Sequence, residues 1–190
     1  KLGTLGEWVR TSLEPALYRG MAAKGQSVAP YVNFEMADLQ EGMEMFYDPP
    51  RFSSGYAALF QTIGLVPETH MLKPFAARVQ STYDFMQTLI ATTAVMRESL
   101  LSRRAAARAA VQQQARFPLS WAVDSTRWSP IRFSGYETGI RKSRVTGMDT
   151  RYFDREKPFS RDIRYYHFFL PKHEVQRPAA YLVPQAWEEV

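Results

Sequence analysis

The chain of 190 residues contains no cysteine, and histidine is scarce, with three residues in all. The lack of cysteine excludes disulfides, thiolate metal sites and thiol catalysis. The three histidines, His70, His167 and His173, form no pair with the spacing through which two imidazoles bind one metal ion. We therefore do not expect a complete zinc site within this chain.

Long apolar runs are also missing. No segment approaches the roughly 18 to 20 consecutive apolar residues that a membrane-spanning helix requires, so we expect no membrane span. A hydrophobic share of 45% and an aromatic share of 14% are typical of a globular protein with real cores. The first residues, KLGTLGEWVR, lack an initiator Met and do not resemble a signal peptide. The simplest interpretation is that the chain starts inside a longer protein.

Several catalytic signatures are absent, namely Gly-x-Ser-x-Gly, a glycine-rich phosphate loop and the protein-kinase motifs. Ser53 and Ser54 precede a glycine, but no strand–turn–helix context supports a nucleophile there. These absences disfavour a serine hydrolase, a nucleotide-binding enzyme and a kinase.

The net charge is +5, and arginines concentrate between residues 97 and 116. They lie in an Ala-rich segment of high helix propensity, where Glu98 and three glutamines dilute the charge. No aromatic residues are interleaved there for base stacking. We interpret this segment as a solvated helix face and expect no nucleic-acid partner.

The pattern along the chain indicates two regions that meet near residue 116. Residues 3–24 predict a helix with one apolar face, interrupted at Pro15 and stopped at Gly25. Residues 27–36 predict an extended segment, and residues 37–55 predict a loop. Residues 74–116 predict one long helix with an apolar side from Phe75 to Leu100 and a break near Ser102. From residue 117, aromatic or β-branched residues alternate with charges in short runs, namely LSWAVD, IRFSGYETGI, RYYHFFL and AAYLVP, which is typical of antiparallel strands.

The run LVPE predicts a short buried strand that ends in Glu68. An unpaired charge at the end of a hydrophobic strand is unfavourable, so the carboxylate needs an explanation. From the residues alone, an N-cap or an ion pair with Lys73 or Arg78 is favoured over a catalytic role.

A longer pattern surrounds Glu68. Gly55-Tyr56 is followed by a buried run ending in Glu68-Thr69-His70, then by LKP and by a helix containing RV and TY. In this order, residues 28 to 92 resemble the distal part of the catalytic domain of zinc carboxypeptidases, the carboxypeptidase A-like metallopeptidases, and in particular a bacterial branch of that family. The tail, with YFDR, KPF and AYLVPQAW, is also similar to that branch.

The resemblance implies an α/β fold, a mixed sheet with flanking helices, of which residues 1–116 would be the distal part. A small antiparallel β-rich domain at 117–190 would follow. The family's glutamate at the end of a late strand, here Glu68, acts as general base and then proton donor beside zinc. Tyr47 and Tyr56 are alternative substrate-side tyrosines, and Arg51 is a candidate for a substrate carboxylate. His70 does not match a family ligand and is interpreted as a polar residue at a helix entrance.

The zinc ligands of the family lie earlier in the domain, so the resemblance implies zinc held by residues upstream of this chain. The chain would then be the C-terminal portion of a metallocarboxypeptidase-like hydrolase, acting on peptide substrates together with the rest of its parent polypeptide. Alone it should be inactive and could form a homo-oligomer. The bacterial branch is often exported, which favours a periplasmic or secreted location. The alternative is a non-catalytic β-rich binding or assembly module of a larger secreted protein.

Overall fold

A computed structural model describes residues 3–33, 42–71 and 73–187. The chain is a mixed α/β protein, as the sequence predicts, and its residues divide into two compact units. The helical unit combines residues 1–28, 47–119 and 174–190, and the sheet unit combines residues 29–46 and 120–173. Both units are discontinuous in sequence, since segment 174–190 groups with the helices and segment 29–46 with the strands.

The first helical stretch consists of α1 (Gly3–Trp8), a π-helical turn (Val9–Leu13) and α2 (Glu14–Ala23). Pro15 lies in the first turn of α2, directly after the π-helical turn, and the Glu14 N–H before it donates to the Val9 carbonyl five residues earlier. Gly25 follows the helix with a φ of 72°, the left-handed conformation that ends many helices. The interruption at Pro15 and the stop at Gly25 are thus confirmed.

The remaining helices are α3 (Ser53–Leu59), α4 (Phe75–Val95) and α5 (Arg97–Gln113). The pattern expected to form one helix over residues 74–116 is broken at Met96, which has φ −91° and ψ 10°. The expected break near Ser102 was wrong, since α5 runs through that position. α4 approaches α2 closely, because a Cβ built on Gly20 would lie 2.5 Å from Thr88 Cγ2.

The helical unit is held by one core that joins α1, the π-helical turn, α2 and α5. Leu5 and Leu13 have the most buried side chains, at 0% and 2% exposed. Partly buried residues from α4, α5 and the segment before α4 pack against this core. The buried members are Leu5, Trp8, Val9, Leu13, Leu17 and Ala107, and the partly buried ones are Ile63, Leu65, Leu89, Met96 and Leu100.

The strands are β1 (Val32–Asn33), β2 (Met43–Met45), β3 (Arg116–Val123), β4 (Ser129–Lys142), β5 (Asp149–Tyr166) and β6 (Phe169–Gln176). Four of them form a mixed sheet in the order β1-β2-β5-β4, in which only β2 and β5 are parallel. β3 and β6 form a separate two-stranded sheet. β4 and β5 make a long antiparallel hairpin with a shift of register between Tyr136 and Glu137.

Three local predictions were wrong within the described residues. Leu65–Glu68 is not a strand, residues 179–184 are not a strand, and β2 forms inside a segment expected to be loop. Residues 34–36 of the extended segment predicted at 27–36 lie outside the described residues. A strand requires a neighbour to pair with, and the run at 65–68 has none in the described part of the chain.

Candidate functional site

The segment that carries Glu68 begins at the C-terminal end of α3. Gln61 has a φ of 51°, and its N–H donates to the Ala58 carbonyl at 3.1 Å. The N–H of Thr62 donates to the Ala57 carbonyl at 3.1 Å, which completes a helix-ending motif. Arg104 on α5 then binds this turn twice, with Nε on the Gln61 carbonyl and Nη2 on Thr62 Oγ1, both at 2.9 Å.

Beyond this turn the segment is anchored at both ends and exposed in the middle. Ile63 and Leu65 pack against the helical core. The Lys73 N–H donates to the His70 carbonyl at 3.0 Å, and Pro74 forms the N-cap of α4. Glu68 lies between these anchors with an exposed side chain. The expectation of a carboxylate delivered by a buried strand is therefore corrected to a carboxylate on an anchored, exposed loop.

The structural alternatives for Glu68 find no support in the described residues. Within them, Glu68 forms no ion pair with Lys73 or Arg78. The N-cap position of α4 is occupied by Pro74, without a side-chain hydrogen bond to the helix. Glu68 is thus neither the cap of α4 nor a member of an ion pair with these cations.

The three predicted substrate-side residues lie on or just before α3. Burial raises the pKa of the half-buried Tyr47 above its usual value. The Arg51 guanidinium lies over the ring of Phe52, with the guanidinium carbon 5.0 Å from the ring centroid. Tyr56 on α3 is 58% exposed, and its ring contacts that of Phe60 with centroids 5.2 Å apart. Of the three, Arg51 and Tyr56 are exposed, whereas Tyr47 is half-buried.

The start of the Glu68 loop and α3 are in direct contact. A Cβ built on Gly64 would lie 2.9 Å from Cα of Ser54 and 3.4 Å from Cβ of Ala57. The first turn of α3 also lies close to the segment that precedes it, because a Cβ on Gly55 would lie 2.2 Å from the Pro49 carbonyl oxygen. The start of the loop that carries Glu68 therefore lies against α3, the helix that carries Tyr56, through the close approach at Gly64.

One feature of this region has no counterpart in the sequence prediction. A shallow groove of about 500 Å³ runs along the exposed side of α4, beginning at Thr69, the residue after Glu68. The apolar spacing predicts an apolar side for this helix, and Phe75, Val79 and Met86 on that side are exposed. The groove is lined by Thr69, Phe75, Arg78, Val79, Thr82, Tyr83 and Met86.

The resemblance implies zinc held by residues upstream, and not by a complete site within this chain. Across residues 3–33, 42–71 and 73–187, no group of three His, Cys, Asp or Glu side chains could hold a metal ion. The described residues therefore do not fit zinc by themselves. Nor does any described helix have the length and apolar character needed to cross a bilayer.

Comparisons with known proteins give no relative. No family model matches the chain, and neither a curated protein nor a solved structure matches it.

Proposed function

We propose that this chain is the C-terminal portion of a zinc-dependent metallocarboxypeptidase-like hydrolase. It would contribute Glu68 as the general acid/base, while residues elsewhere in the polypeptide hold the zinc. The observation that carries the proposal is the ordered set of motifs around Glu68-Thr69-His70. The anchored loop adds physical support, because it fixes the backbone on both sides of a carboxylate that has neither Lys73 nor Arg78 as an ion-pair partner.

In this role, Glu68 would take a proton from the attacking water and pass it to the leaving amine of the peptide. Zinc, held by residues elsewhere in the complete protein, would supply Lewis-acid polarisation of the substrate carbonyl. Since Glu68 is exposed here, the zinc-binding part of the polypeptide would have to cover the loop to exclude bulk water from this carboxylate.

The test is hydrolysis of hippuryl-L-phenylalanine by the full parent polypeptide, before and after removal of zinc with a chelator. Glu68→Gln keeps the size of the side chain and removes its basicity, so kcat should fall by about 10²- to 10⁴-fold with the zinc content unchanged. Retention of full activity by Glu68→Gln would exclude the assigned role.

The isolated chain provides an independent check. It should show no turnover of the same substrate and only weak zinc binding. Micromolar zinc binding or measurable hydrolysis by residues 1–190 alone would contradict the proposed division of the active site.

The tip of the β4–β5 hairpin favours a second candidate, a binding or assembly role for the β-rich region. Ile140 and Phe153 share one face of the hairpin and are 64% and 65% exposed, and Val145 and Met148 near the turn are also exposed. Large apolar side chains grouped on an exposed surface are typical of interaction sites. Deleting residues 117–190 from the parent polypeptide should change its assembly mass or its melting temperature, and no change in either would remove this candidate.

A further inference from the structure

The turn that joins β4 and β5 exposes large apolar side chains. Val145 is 94% exposed and Met148 is 70% exposed. Ile140 and Phe153 extend this apolar surface along one face of the hairpin, where both side chains are more than half exposed. These four residues lie within residues 138–153, which we call the hairpin tip. Exposed apolar groups of this size mark sites that contact a partner or a membrane.

The hairpin tip is also basic, since it contains four cations and one carboxylate. The carboxylate, Asp149, pairs with Lys142 at 2.8 Å. The other cations are three exposed arginines, namely Arg141, Arg144 and Arg151. In the part of the chain that the structure describes, none of these arginines forms an ion pair. They therefore place positive charge, not neutralised by a carboxylate, beside the apolar side chains.

The turn satisfies its own backbone donors. The Ser143 N–H donates to the Met148 carbonyl at 2.8 Å, and the Gly147 N–H donates to the Ser143 carbonyl at 3.0 Å. Ser143 Oγ accepts from the N–H groups of Val145 and Thr146, both at 3.2 Å, and Thr146 Oγ1 accepts from the Met148 N–H at 3.3 Å. A turn built in this way can enter a poorly hydrated layer without leaving these donors unpaired, which is the main requirement for backbone in contact with lipid.

We infer that the hairpin tip docks on a lipid surface that carries anionic headgroups. Val145 and Met148 enter the boundary between headgroups and acyl chains, and the arginines pair with the phosphate groups of the lipids. An arginine can keep its guanidinium among the headgroups while its aliphatic stem lies along apolar surface. The inference rests on the second candidate function, binding by the β-rich region, and names its partner.

Two other kinds of partner fit the hairpin tip less well. A nucleic acid would pair with the arginines, but it would leave Val145 and Met148 in water. A second copy joined tip to tip would cover the apolar side chains, but it would bring two sets of arginines together. An anionic lipid surface covers the apolar side chains and neutralises the arginines in one contact, and it needs no backbone hydrogen bonds from the turn.

The test measures co-sedimentation of the 190-residue chain with two kinds of vesicle. Vesicles made of equal parts of phosphatidylcholine and phosphatidylglycerol present anionic headgroups, whereas vesicles of phosphatidylcholine alone have no net charge. We expect partition into the anionic vesicles to be about ten- to hundredfold stronger, because each arginine near an anionic surface adds a favourable interaction. Raising the ionic strength from about 0.1 M to about 1 M should remove most of this difference.

A single introduced thiol can report where the tip lies, because the chain has no cysteine. Val145→Cys, labelled with nitrobenzoxadiazole, should shift its emission to the blue with anionic vesicles, and a quencher on the acyl chains should reduce that emission. Ser125→Cys, at an exposed position before the opposite end of β4, is the matched control and should show neither change.

The apolar part of the contact is tested by Val145→Ser combined with Met148→Ser. This double variant should partition about tenfold more weakly or worse, because the side chains that leave water are lost. Its melting temperature should match that of the wild type, since both positions are exposed.

The charged part is tested by Arg144→Gln combined with Arg151→Gln. Partition into anionic vesicles should fall about tenfold or more, while partition into phosphatidylcholine should not change. Arg97→Gln combined with Arg108→Gln removes the same charge from exposed positions on α5, so it should partition like the wild type. Equal losses in the two double variants would mean that net charge, and not the hairpin tip, attracts the chain to lipid, and would overturn the inference.

The remaining outcomes separate the lipid surface from other partners. Absence of partition, or partition unaffected by the double serine variant, would reject the lipid surface as partner of the tip. A mass that rises with protein concentration without lipid, and that falls in the double serine variant, would assign the tip to a second copy instead. If partition fails but deletion of residues 117–190 still changes the assembly mass, the lipid partner is rejected and the assembly role stands.

Discussion

Arg104 donates a hydrogen bond from Nε to the backbone carbonyl oxygen of Gln61, 43 residues earlier in the chain, at 2.9 Å. The same guanidinium reaches Thr62 Oγ1 through Nη2, also at 2.9 Å. Gln61 is only 8% exposed, so its carbonyl has little access to water if Arg104 is lost. One side chain of α5 therefore fixes the turn from which the Glu68 loop starts.

Replacing Arg104 by Met should destabilise the protein and loosen the loop. The apolar stem is kept, but the buried carbonyl loses its donor, so the free energy of unfolding should fall by about 1–3 kcal/mol. Hydrogen exchange of the amides between residues 61 and 70 should become faster than in the wild type. Chemical denaturation and exchange mass spectrometry measure the two effects.

Arg108→Met is the matched control for Arg104→Met, because it removes an exposed arginine from the same helix. Its stability should stay within about 0.5 kcal/mol of the wild type. Equal stability losses in the two variants would mean that the hydrogen bonds to Gln61 and Thr62 do not hold the loop.

Gly55→Ala should displace the first turn of α3. The new Cβ would lie 2.2 Å from the Pro49 carbonyl oxygen and 2.5 Å from that of Asp48, and both are backbone atoms that cannot move independently. Overpacking of this kind destabilises by about 1–3 kcal/mol. Ser53→Ala, at an exposed position two residues earlier, should change stability little. A Gly55→Ala variant as stable as Ser53→Ala in thermal melts would refute the close approach.

The sequence predicted the helices better than the strands, for a physical reason. Apolar spacing, Pro15 and Gly25 are local signals, and they located α1, α2 and their ends. The break between α4 and α5 has no such signal, because helix propensity remains high through Met96 and Ser102. Met96 and Leu100 pack against the core, so tertiary contacts decide where the helix bends.

At the candidate site, too, local sequence patterns did not reveal the tertiary contacts. The run at 65–68 has the composition of a strand, but Leu65 packs on helices while Val66 and Glu68 remain exposed. β2 was missed because Met43–Met45 carries a weak strand pattern and pairs with β5, more than 100 residues away. The groove on α4 could not be predicted for another reason. Periodicity marks an apolar face of a helix but does not say whether other residues cover that face.

Asp84 should make the stability of the helical unit depend on acid pH. Hydrogen bonds from Gln26 to Oδ2 at 2.9 Å and from Gln80 to Oδ1 at 3.0 Å, together with Lys24 at 3.7 Å, favour its ionised form. The Gln26 hydrogen bond contributes most to lowering the pKa of Asp84 below the ordinary value of 3.8. A lowered pKa in the folded state means that this stabilisation is complete above the unfolded-state value and is lost as pH falls through the folded-state value.

The measurement for Asp84 is the free energy of unfolding between pH 6 and pH 2. The stability of Asp84→Asn should fall less steeply over the acid part of this range than that of the wild type, because the neutral amide does not titrate. Asp149→Asn, which removes an exposed carboxylate paired with Lys142, should leave the slope close to that of the wild type, since exposed ion pairs contribute little. Parallel curves for Asp84→Asn and the wild type would show that this carboxylate does not couple folding to pH.

Leu13→Ala should be the most destabilising of these changes, because its side chain lies at the centre of the helical core. Leu13 ends the π-helical turn, is 2% exposed and belongs to the same core as Leu5, Leu17 and Ala107. Removing a buried leucine side chain loses its transfer free energy and leaves a cavity, which together amount to about 2–5 kcal/mol. Leu101→Ala, at a position 49% exposed on α5, provides the same chemical change outside the core and should lose less than about 1 kcal/mol. Because Ile63 and Leu65 anchor the Glu68 loop on this core, Leu13→Ala should also speed hydrogen exchange in that loop, and unchanged exchange there would show that the loop is held by Arg104 alone.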